Sequence, residues 1–154
     1  MGTKILVADD HEIVLEGIRT LIGRSGRDWE ICGEARDGGE ALEMAKALKP
    51  DVVVLDITMP GMNGLEAARR IRKLQSGCRI LMFTMHESGR LGLEVREAGA
   101  HGYVLKSQAA RDLIRAIDSL LAGNTFFGTP AEPEPKREEK KNPDILFCGA
   151  YALA

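Results

Sequence analysis

The chain alternates short apolar runs with amphipathic helical patterns, and this alternation limits the folds open to it. The apolar runs are the predicted strands: Lys4–Ala8, Trp29–Ala35, Val52–Leu55, Arg79–Thr84 and Gly102–Leu105. After each strand, apolar residues recur at the spacing of a helix. The predicted helices lie at about 13–21, 37–48, 65–74, 89–98 and 113–121. Five strands alternating with five helices indicate an α/β fold, a parallel sheet with helices on both faces.

Several predicted helix ends carry recognisable residues. The second helix is expected to begin near Asp37, a common N-cap, and to end before Pro50. Gly123 is expected to close the last helix. The fourth helix has the weakest pattern, because Gly92 interrupts it.

The composition divides the chain into three parts. A length of 154 residues suits one domain with an extension. Residues 1–124 are the predicted domain. Residues 125–142 combine proline with charges of both signs and are a predicted linker, and residues 143–154 form a short apolar tail.

The bulk properties exclude several classes of protein. The net charge is −2, so there is no basic field and we expect no direct nucleic-acid binding by this chain. No apolar run approaches the roughly 20 residues that a membrane span needs, and the N-terminus lacks signal-peptide features. Cys32, Cys78 and Cys148 form no CxxC pair, so reduced thiols and a cytoplasmic protein are predicted.

Polar residues follow four of the five predicted strands at the point where each ends. Asp9 and Asp10 follow the first strand, Asp56 the third, Thr84 ends the fourth, and Lys106 follows the fifth. Because the carboxyl ends of parallel strands share one edge of the sheet, these side chains are expected to converge there.

The convergence of carboxylates indicates a metal. Two carboxylates about 4 Å apart repel by roughly 4 kcal/mol at an effective dielectric constant near 20, and Lys106 offsets only one negative charge. Mg²⁺ fits best, because it accepts one or two carboxylates, water and phosphate oxygens. Any single aspartate is equally well explained as a helix cap, but all the residue types together at the right strand ends favour a site.

The motifs as a set resemble those of a known family. Asp9-Asp10, the D-x-x-M-P-x-x-x-G pattern of Asp56–Gly64, Thr84 and Lys106 are similar to the signature of bacterial response-regulator receivers. The resemblance covers about residues 4–123 and implies a flavodoxin-like sheet with strand order 2-1-3-4-5.

Two further motifs narrow the resemblance. Asp-Asp-His at 9–11 and Gly-Tyr-Val-Leu-Lys at 102–106 resemble the NarL/FixJ-type subgroup, which is usually joined to a helix-turn-helix DNA-binding domain. No helix-turn-helix pattern follows Gly123.

The resemblance implies a metal-assisted phosphoacceptor. Asp56 is implied to be the phosphate acceptor, and Asp10 and Asp56 to be direct Mg²⁺ ligands. The backbone carbonyl of Thr58 is implied as a third ligand, and Asp9 as a ligand through water. Attack by a carboxylate on phosphorus needs the charge of the phosphoryl oxygens to be neutralised, so positioning and electrostatics carry the catalysis.

Other residues acquire roles in the same way. Lys106 is implied to pair with a phosphate oxygen, and Thr84 to donate its hydroxyl to another. Tyr103 matches the aromatic residue whose rotamer changes with that of the threonine in the family's switch; the alternative explanation is a half-buried strand aromatic. Thr58 and His86 occupy positions at which the family varies its hydrolysis rate; for His86, an exposed loop residue is an equally good explanation.

The implied partners are a histidine kinase and a second copy of the chain. In the family, the face of the first helix beside the acids docks the kinase, and here that face includes Ile13, Val14, Gly17 and Leu21. The implied function is two-component signal transduction, with a change of shape that alters protein contacts in transcription control, and no enzymatic activity beyond the protein's own phosphorylation and dephosphorylation.

Two residues depart from the family pattern. Ser107 follows the lysine where many members have proline, and Met85 follows the threonine where small residues are common. The bulk of Met85 is expected to narrow access to Asp56.

Three alternatives stay open on the sequence alone. A haloacid-dehalogenase-like phosphohydrolase needs a second aspartate two residues after the nucleophile, where Thr58 stands and has no carboxylic proton to give. A flavodoxin needs a hydroxyl- and glycine-rich phosphate loop, where Asp9-Asp10 stands. A structural adaptor that is never phosphorylated does not need the intact acceptor set.

Overall fold

A computed structural model describes residues 2–75, 77–85 and 87–127 of the chain. The strands are β1 (Thr3–Ala8), β2 (Trp29–Ala35), β3 (Val52–Asp56), β4 (Arg79–Thr84), β5 (Gly102–Leu105) and β6 (Phe126–Phe127). The helices are α1 (Glu12–Arg24), α2 (Gly38–Leu48), α3 (Gly64–Leu74), α4 (Leu91–Glu97) and α5 (Ala109–Leu121), with a short 3₁₀ helix at Lys106–Gln108. None of these helices is long and apolar enough to cross a membrane.

The strands form one parallel sheet in the order β2-β1-β3-β4-β5-β6. The predicted order 2-1-3-4-5 is confirmed, and the sheet carries a sixth strand that the sequence analysis did not include. The sixth strand was missed because two residues are too short to show a periodicity. It pairs with the edge of β5, where a Cβ on Gly102 would lie 2.2 Å from the carbonyl oxygen of Phe126. Gly102 is therefore needed for the close approach of β6.

The sixth strand lies inside the predicted linker, residues 125–142. The remaining part of that linker, the predicted tail at 143–154 and Cys148 lie outside the described residues.

Two hydrophobic cores cover the two faces of the sheet. One contains Ala41, Leu42, Ala67, Ile71, Leu91 and Val95, which belong to α2, α3 and α4. The other contains Leu15, Ile18, Ile22, Leu113, Ala116 and Ile117, which belong to α1 and α5. Successive residues of β3 alternate between the two cores and all are buried, as expected for a central parallel strand.

The helix ends agree with the signals in the sequence. Asp37 caps α2 by accepting a hydrogen bond from the Glu40 N–H at 2.8 Å. Helix α2 then ends at Leu48, and its C-cap, Lys49, has φ 48° and precedes Pro50. Gly123 follows α5 with φ +91°, as the C-terminal glycine of a helix commonly does. Helix α4 has only seven residues and is shorter than predicted at both ends.

Gly64 fixes the loop that follows β3. A Cβ at this position would lie 2.0 Å from the backbone oxygen of Asp56. We expect Gly64→Ala to lower the free energy of unfolding by more than about 2 kcal/mol, because the backbone has to shift to relieve the clash. Gly92→Ala is the matched control, because Gly92 lies in α4 and nothing lies within 4 Å of the added Cβ. In a helix, alanine gives a free energy of unfolding about 0.5–1 kcal/mol higher than glycine does. Urea denaturation measures both, and equal stability of the two variants would contradict this account.

Candidate phosphoacceptor site

The structure brings the predicted polar residues to one edge of the sheet. Asp9 and Asp10 follow β1, and Asp56 and Thr84 are the last residues of β3 and β4. Lys106 directly follows β5 and begins the 3₁₀ helix. Asp9 and Asp56 are almost fully buried, with 0% and 3% exposed, whereas Asp10 is open to solvent. The site is thus a buried acidic floor with one carboxylate at its rim.

Lys106 bridges the two buried carboxylates. Its Nζ lies 2.7 Å from Asp9 Oδ2 and 3.3 Å from Asp56 Oδ1. Burial, and next the charge of Asp9, raise the pKa of the Asp56 carboxyl above its ordinary value, and Lys106 opposes this shift. One ammonium group faces three carboxylates, so the site retains negative charge.

The donor set fits a hard divalent cation. Asp9, Asp10, His11 and Asp56 offer ligand atoms that all lie within 4.8 Å of one another. Asp9 Oδ2 is buried and accepts no hydrogen bond of ordinary geometry from the described residues, although Lys106 Nζ is near. A buried carboxylate oxygen without an ordinary hydrogen bond, in a site with surplus negative charge, is well suited to bind a cation or to accept a hydrogen bond from the cation's bound water.

His11 is a neighbour of the site that the sequence analysis did not select. Its Nδ1 lies 3.1 Å from Asp10 Oδ1 and 3.3 Å from Asp9 Oδ1. The backbone N–H of His11 also donates to Asp9 Oδ1 at 2.9 Å. Its place directly after two aspartates was the available signal. The ring is mostly exposed, so His11 stands at the rim of the acidic floor.

The loop after β3 is hydrogen-bonded to Asp56. The backbone N–H of Thr58 donates to Asp56 Oδ1 at 3.3 Å, which helps to fix the carboxylate. The Ile57 carbonyl accepts from Gly64 N–H at 2.8 Å and closes the loop. The Thr58 side chain is exposed, and so is Met85 at 65%. His86 lies outside the described residues.

Tyr103 lies behind the site and is buried, not half-buried. It is 6% exposed, and its hydroxyl donates to Glu87 Oε2 at 3.2 Å. Burial, and next the charge of Glu87, raise its pKa to about 12. Its ring packs edge-on against Phe127, with centroids 6.1 Å apart. Glu87 follows no strand directly, so no sequence pattern identified it as the partner of Tyr103.

An apolar groove opens beside the site between α1 and α5. Its volume is about 140 Å³. It is lined by Val14, Gly17, Ile18, Leu21, Phe83, Lys106 and Ala109. Ile13 stands outside this groove and is 76% exposed. Three of the four residues of the predicted docking face therefore line a groove that reaches the site lysine.

Comparison with known proteins defines the family. Residues 5–118 match the model of the response regulator receiver domain. The chain is 35% identical over 125 residues to the response regulator UvrY of Escherichia coli K12. This alignment covers 81% of this chain and 57% of UvrY. It is 34% identical to the nitrate/nitrite response regulator protein NarL of Escherichia coli K12, over 84% of this chain and 59% of NarL. The chain thus spans less than two thirds of the length of these relatives.

Solved structures give the same result. A two-component response regulator of the LuxR family from Aurantimonas aligns with a TM-score of 0.77 and 44% identity, covering 82% of this chain and 89% of that chain. The signal receiver domain of the response regulator NarL from Mycobacterium tuberculosis aligns with a TM-score of 0.75 and 32% identity, covering 80% and 98%.

The chain belongs to the response-regulator receiver family, in which the sheet order and the acidic site occur together. Within that family it is a receiver domain of the NarL and UvrY type. This membership decides against the flavodoxin and phosphohydrolase alternatives. Phosphorylation by histidine kinases, magnesium binding and frequent dimerisation are general properties of the family.

Proposed function

We propose that this protein accepts a phosphoryl group on Asp56 from a histidine kinase. The observation that carries the proposal is the position of Asp56: it is buried at the end of β3, with Lys106 Nζ 3.3 Å from its Oδ1. One carboxylate oxygen attacks phosphorus, the bond from phosphorus to the kinase's histidine nitrogen breaks, and the ring keeps the electron pair. Lys106 and the Thr84 hydroxyl stabilise the charge on the phosphoryl oxygens.

Mg²⁺ is the cofactor that the donor set favours. Asp10 and Asp56 would hold it directly, the Thr58 carbonyl would supply a third oxygen, and Asp9 would act through a bound water. When bound, the ion neutralises carboxylate and phosphoryl charge that a single lysine leaves uncompensated. Asp9 is suited to the indirect role because its buried Oδ2 has no hydrogen bond of ordinary geometry and could accept one from a water bound to the ion.

The phosphorylated form is temporary. An acyl phosphate can be hydrolysed by water, which returns Asp56 to its carboxylate and ends the signal. Thr58 and His86 are the residues that we expect to set this rate. The protein is accordingly a signalling phosphoacceptor and not an enzyme with an external substrate.

The signal leaves the site through β4 and β5. Thr84 on β4 is paired in register with Leu105 on β5, and Tyr103 lies on the same strand β5. The phosphoryl group draws the Thr84 hydroxyl inward by a charge-assisted hydrogen bond. The Tyr103 ring then repacks, and its contacts with Glu87 and Phe127 carry the change to the short helix α4 and to β6. The result is a population shift between two states, with homodimerisation and altered protein contacts in transcription control. We place this activity in the cytoplasm.

The kinase docks on the face of α1 beside the acids. We expect Ile13→Lys to slow phosphoryl transfer from an autophosphorylated kinase by about tenfold, since an exposed apolar contact is lost. Transfer from acetyl phosphate should not change, because Ile13 is 76% exposed and does not support the core. Thr20→Lys, an exposed position further along α1, is the matched control. Equal slowing with both donors would point to damage to the fold and against docking.

Intact-mass spectrometry tests the proposed function. The full chain is incubated with acetyl phosphate, with Mg²⁺ or with EDTA. We expect the mass of one phosphoryl group to be added only in the presence of Mg²⁺. Absence of any added mass under both conditions, in a protein with a normal circular dichroism spectrum, would overturn the proposal.

A further inference from the structure

A second cavity lies at the opposite edge of the sheet from the acidic site. It has a volume of about 280 Å³ and opens to solvent near the amino ends of β5 and β6. It is lined by Arg72, Arg96, Gly99, Ala100, His101, Thr125 and Phe127. No acidic residue of the described chain is among them, so the polar groups of its wall are mostly hydrogen-bond donors.

His101 is the buried donor of this cavity. Its side chain is only 9% exposed, and the backbone N–H of Ile80 donates to its Nδ1 at 3.0 Å. Because Nδ1 accepts this bond, the proton of the neutral ring must sit on Nε2. Among the described residues that Nε2–H forms no hydrogen bond, and it is not one of the buried polar atoms without a partner, so it is open to the solvent of the cavity. Burial, followed by the charges of Arg79 and Arg72, lowers the pKa of His101, which keeps the ring in this neutral form.

Arg96 is held at the rim of the cavity. Its guanidinium lies 3.8 Å from the centroid of the Phe127 ring. A guanidinium stacked on an aromatic face keeps its N–H edge available and loses little entropy when it binds a second group. No carboxylate of the described residues forms an ion pair with Arg96.

The backbone is shaped around the second arginine. Gly99 has φ +86°, and a Cβ there would lie 3.0 Å from Cγ of Arg72. Only a glycine allows both this conformation and the close passage of the arginine stem. The two arginines therefore reach the same cavity from α3 and α4, and His101 lines it with them.

We propose that this cavity is a binding site for a phosphate group of a small molecule, held by Arg96, Arg72 and the Nε2–H of His101. A tetrahedral oxyanion matches a set of donors with two guanidinium forks, which bind phosphate oxygens in pairs. The site is separate from Asp56, because it lies at the amino ends of the strands and contains no carboxylate.

Titration calorimetry with inorganic pyrophosphate tests the site. The full chain is used in EDTA, so that no metal recruits the anion to the acidic edge. We expect saturable binding at one site, weakened about tenfold or more in Arg96→Gln, because a hydrogen bond to a charged group is lost. Arg90→Gln, an exposed arginine beside α4 that does not line the cavity, removes the same charge and should bind as the wild type does.

Two further variants separate the explanations. His101→Asn keeps an acceptor for the Ile80 N–H. Its amide is too short to place an N–H where the Nε2–H of His101 lies, so it should also weaken binding. Asp56→Asn should bind pyrophosphate as the wild type does, whether or not Asp56 is the phosphoacceptor. The proposal is overturned if the wild type gives no saturable binding, if Arg96→Gln and His101→Asn both bind normally, or if Arg90→Gln weakens binding as much as Arg96→Gln.

Discussion

Asp56→Asn is expected to take up no phosphoryl group from acetyl phosphate or from a kinase. The amide cannot act as the nucleophile, so the variant lacks the carboxylate that lies buried beside Lys106 at the end of β3. The readout is the intact mass after incubation with Mg²⁺. Asp118→Asn is the control, since Asp118 is a half-exposed aspartate on α5 that pairs with Arg27 and should leave labelling unchanged.

The same variant should be well folded. Burial and the neighbouring Asp9 disfavour the charged form of Asp56, as its raised pKa indicates. Removing that charge therefore relieves repulsion, and the melting temperature in EDTA should be equal to or above that of the wild type. Loss of labelling in a folded Asp56→Asn protein supports the assignment, whereas undiminished labelling would contradict it.

Asp10→Ala is expected to abolish Mg²⁺ binding and to slow phosphorylation by at least about a hundredfold. The metal loses a direct ligand. The negative charge that attracts the metal also falls, because Lys106 offsets part of the carboxylate charge that remains. In the wild type, Mg²⁺ should raise the melting temperature, because a ligand that binds only the folded state stabilises it. That rise should be absent in the variant.

Glu16→Ala provides the control for this metal prediction. Glu16 is an exposed acid on α1, outside the group of residues that could hold an ion. It removes the same charge and should keep the wild-type Mg²⁺ affinity in titration calorimetry. If Asp10→Ala also kept that affinity, the ion would have to bind elsewhere.

The central sheet was predictable because each strand has a strong local signal. Val52–Leu55 is a continuous apolar run, and only a strand covered on both faces buries such a run completely. Once the strands are parallel, their carboxyl ends share an edge, and the meeting of Asp9, Asp56 and Lys106 follows without any knowledge of the loops.

Features that depend on contacts distant in sequence were not predictable. The pairing of β6 with β5 rests on the missing Cβ of Gly102, which no periodicity reveals. The partner of the Tyr103 hydroxyl, Glu87, comes from a loop sixteen residues earlier in the chain. Helix α4 begins later than expected, at Leu91, since helix ends are set by local capping and packing as well as by apolar spacing.

The cavity around His101 could not be predicted from the sequence either. In the sequence, His101 is a single histidine before β5, and the motif at 102–106 that follows it assigns it no role. Only the fold shows that Ile80 occupies one ring nitrogen and that Arg96 lies beside the same opening.

The phosphorylated residue can be located directly by chemical reduction. An aspartyl phosphate is reduced by borohydride to homoserine, whereas a free aspartate is not. The wild-type chain is incubated with acetyl phosphate and Mg²⁺, reduced, digested and sequenced by tandem mass spectrometry. Homoserine at position 56, and at no other aspartate, is the predicted result. Homoserine at Asp9 or Asp10, with aspartate retained at position 56, would contradict the central claim.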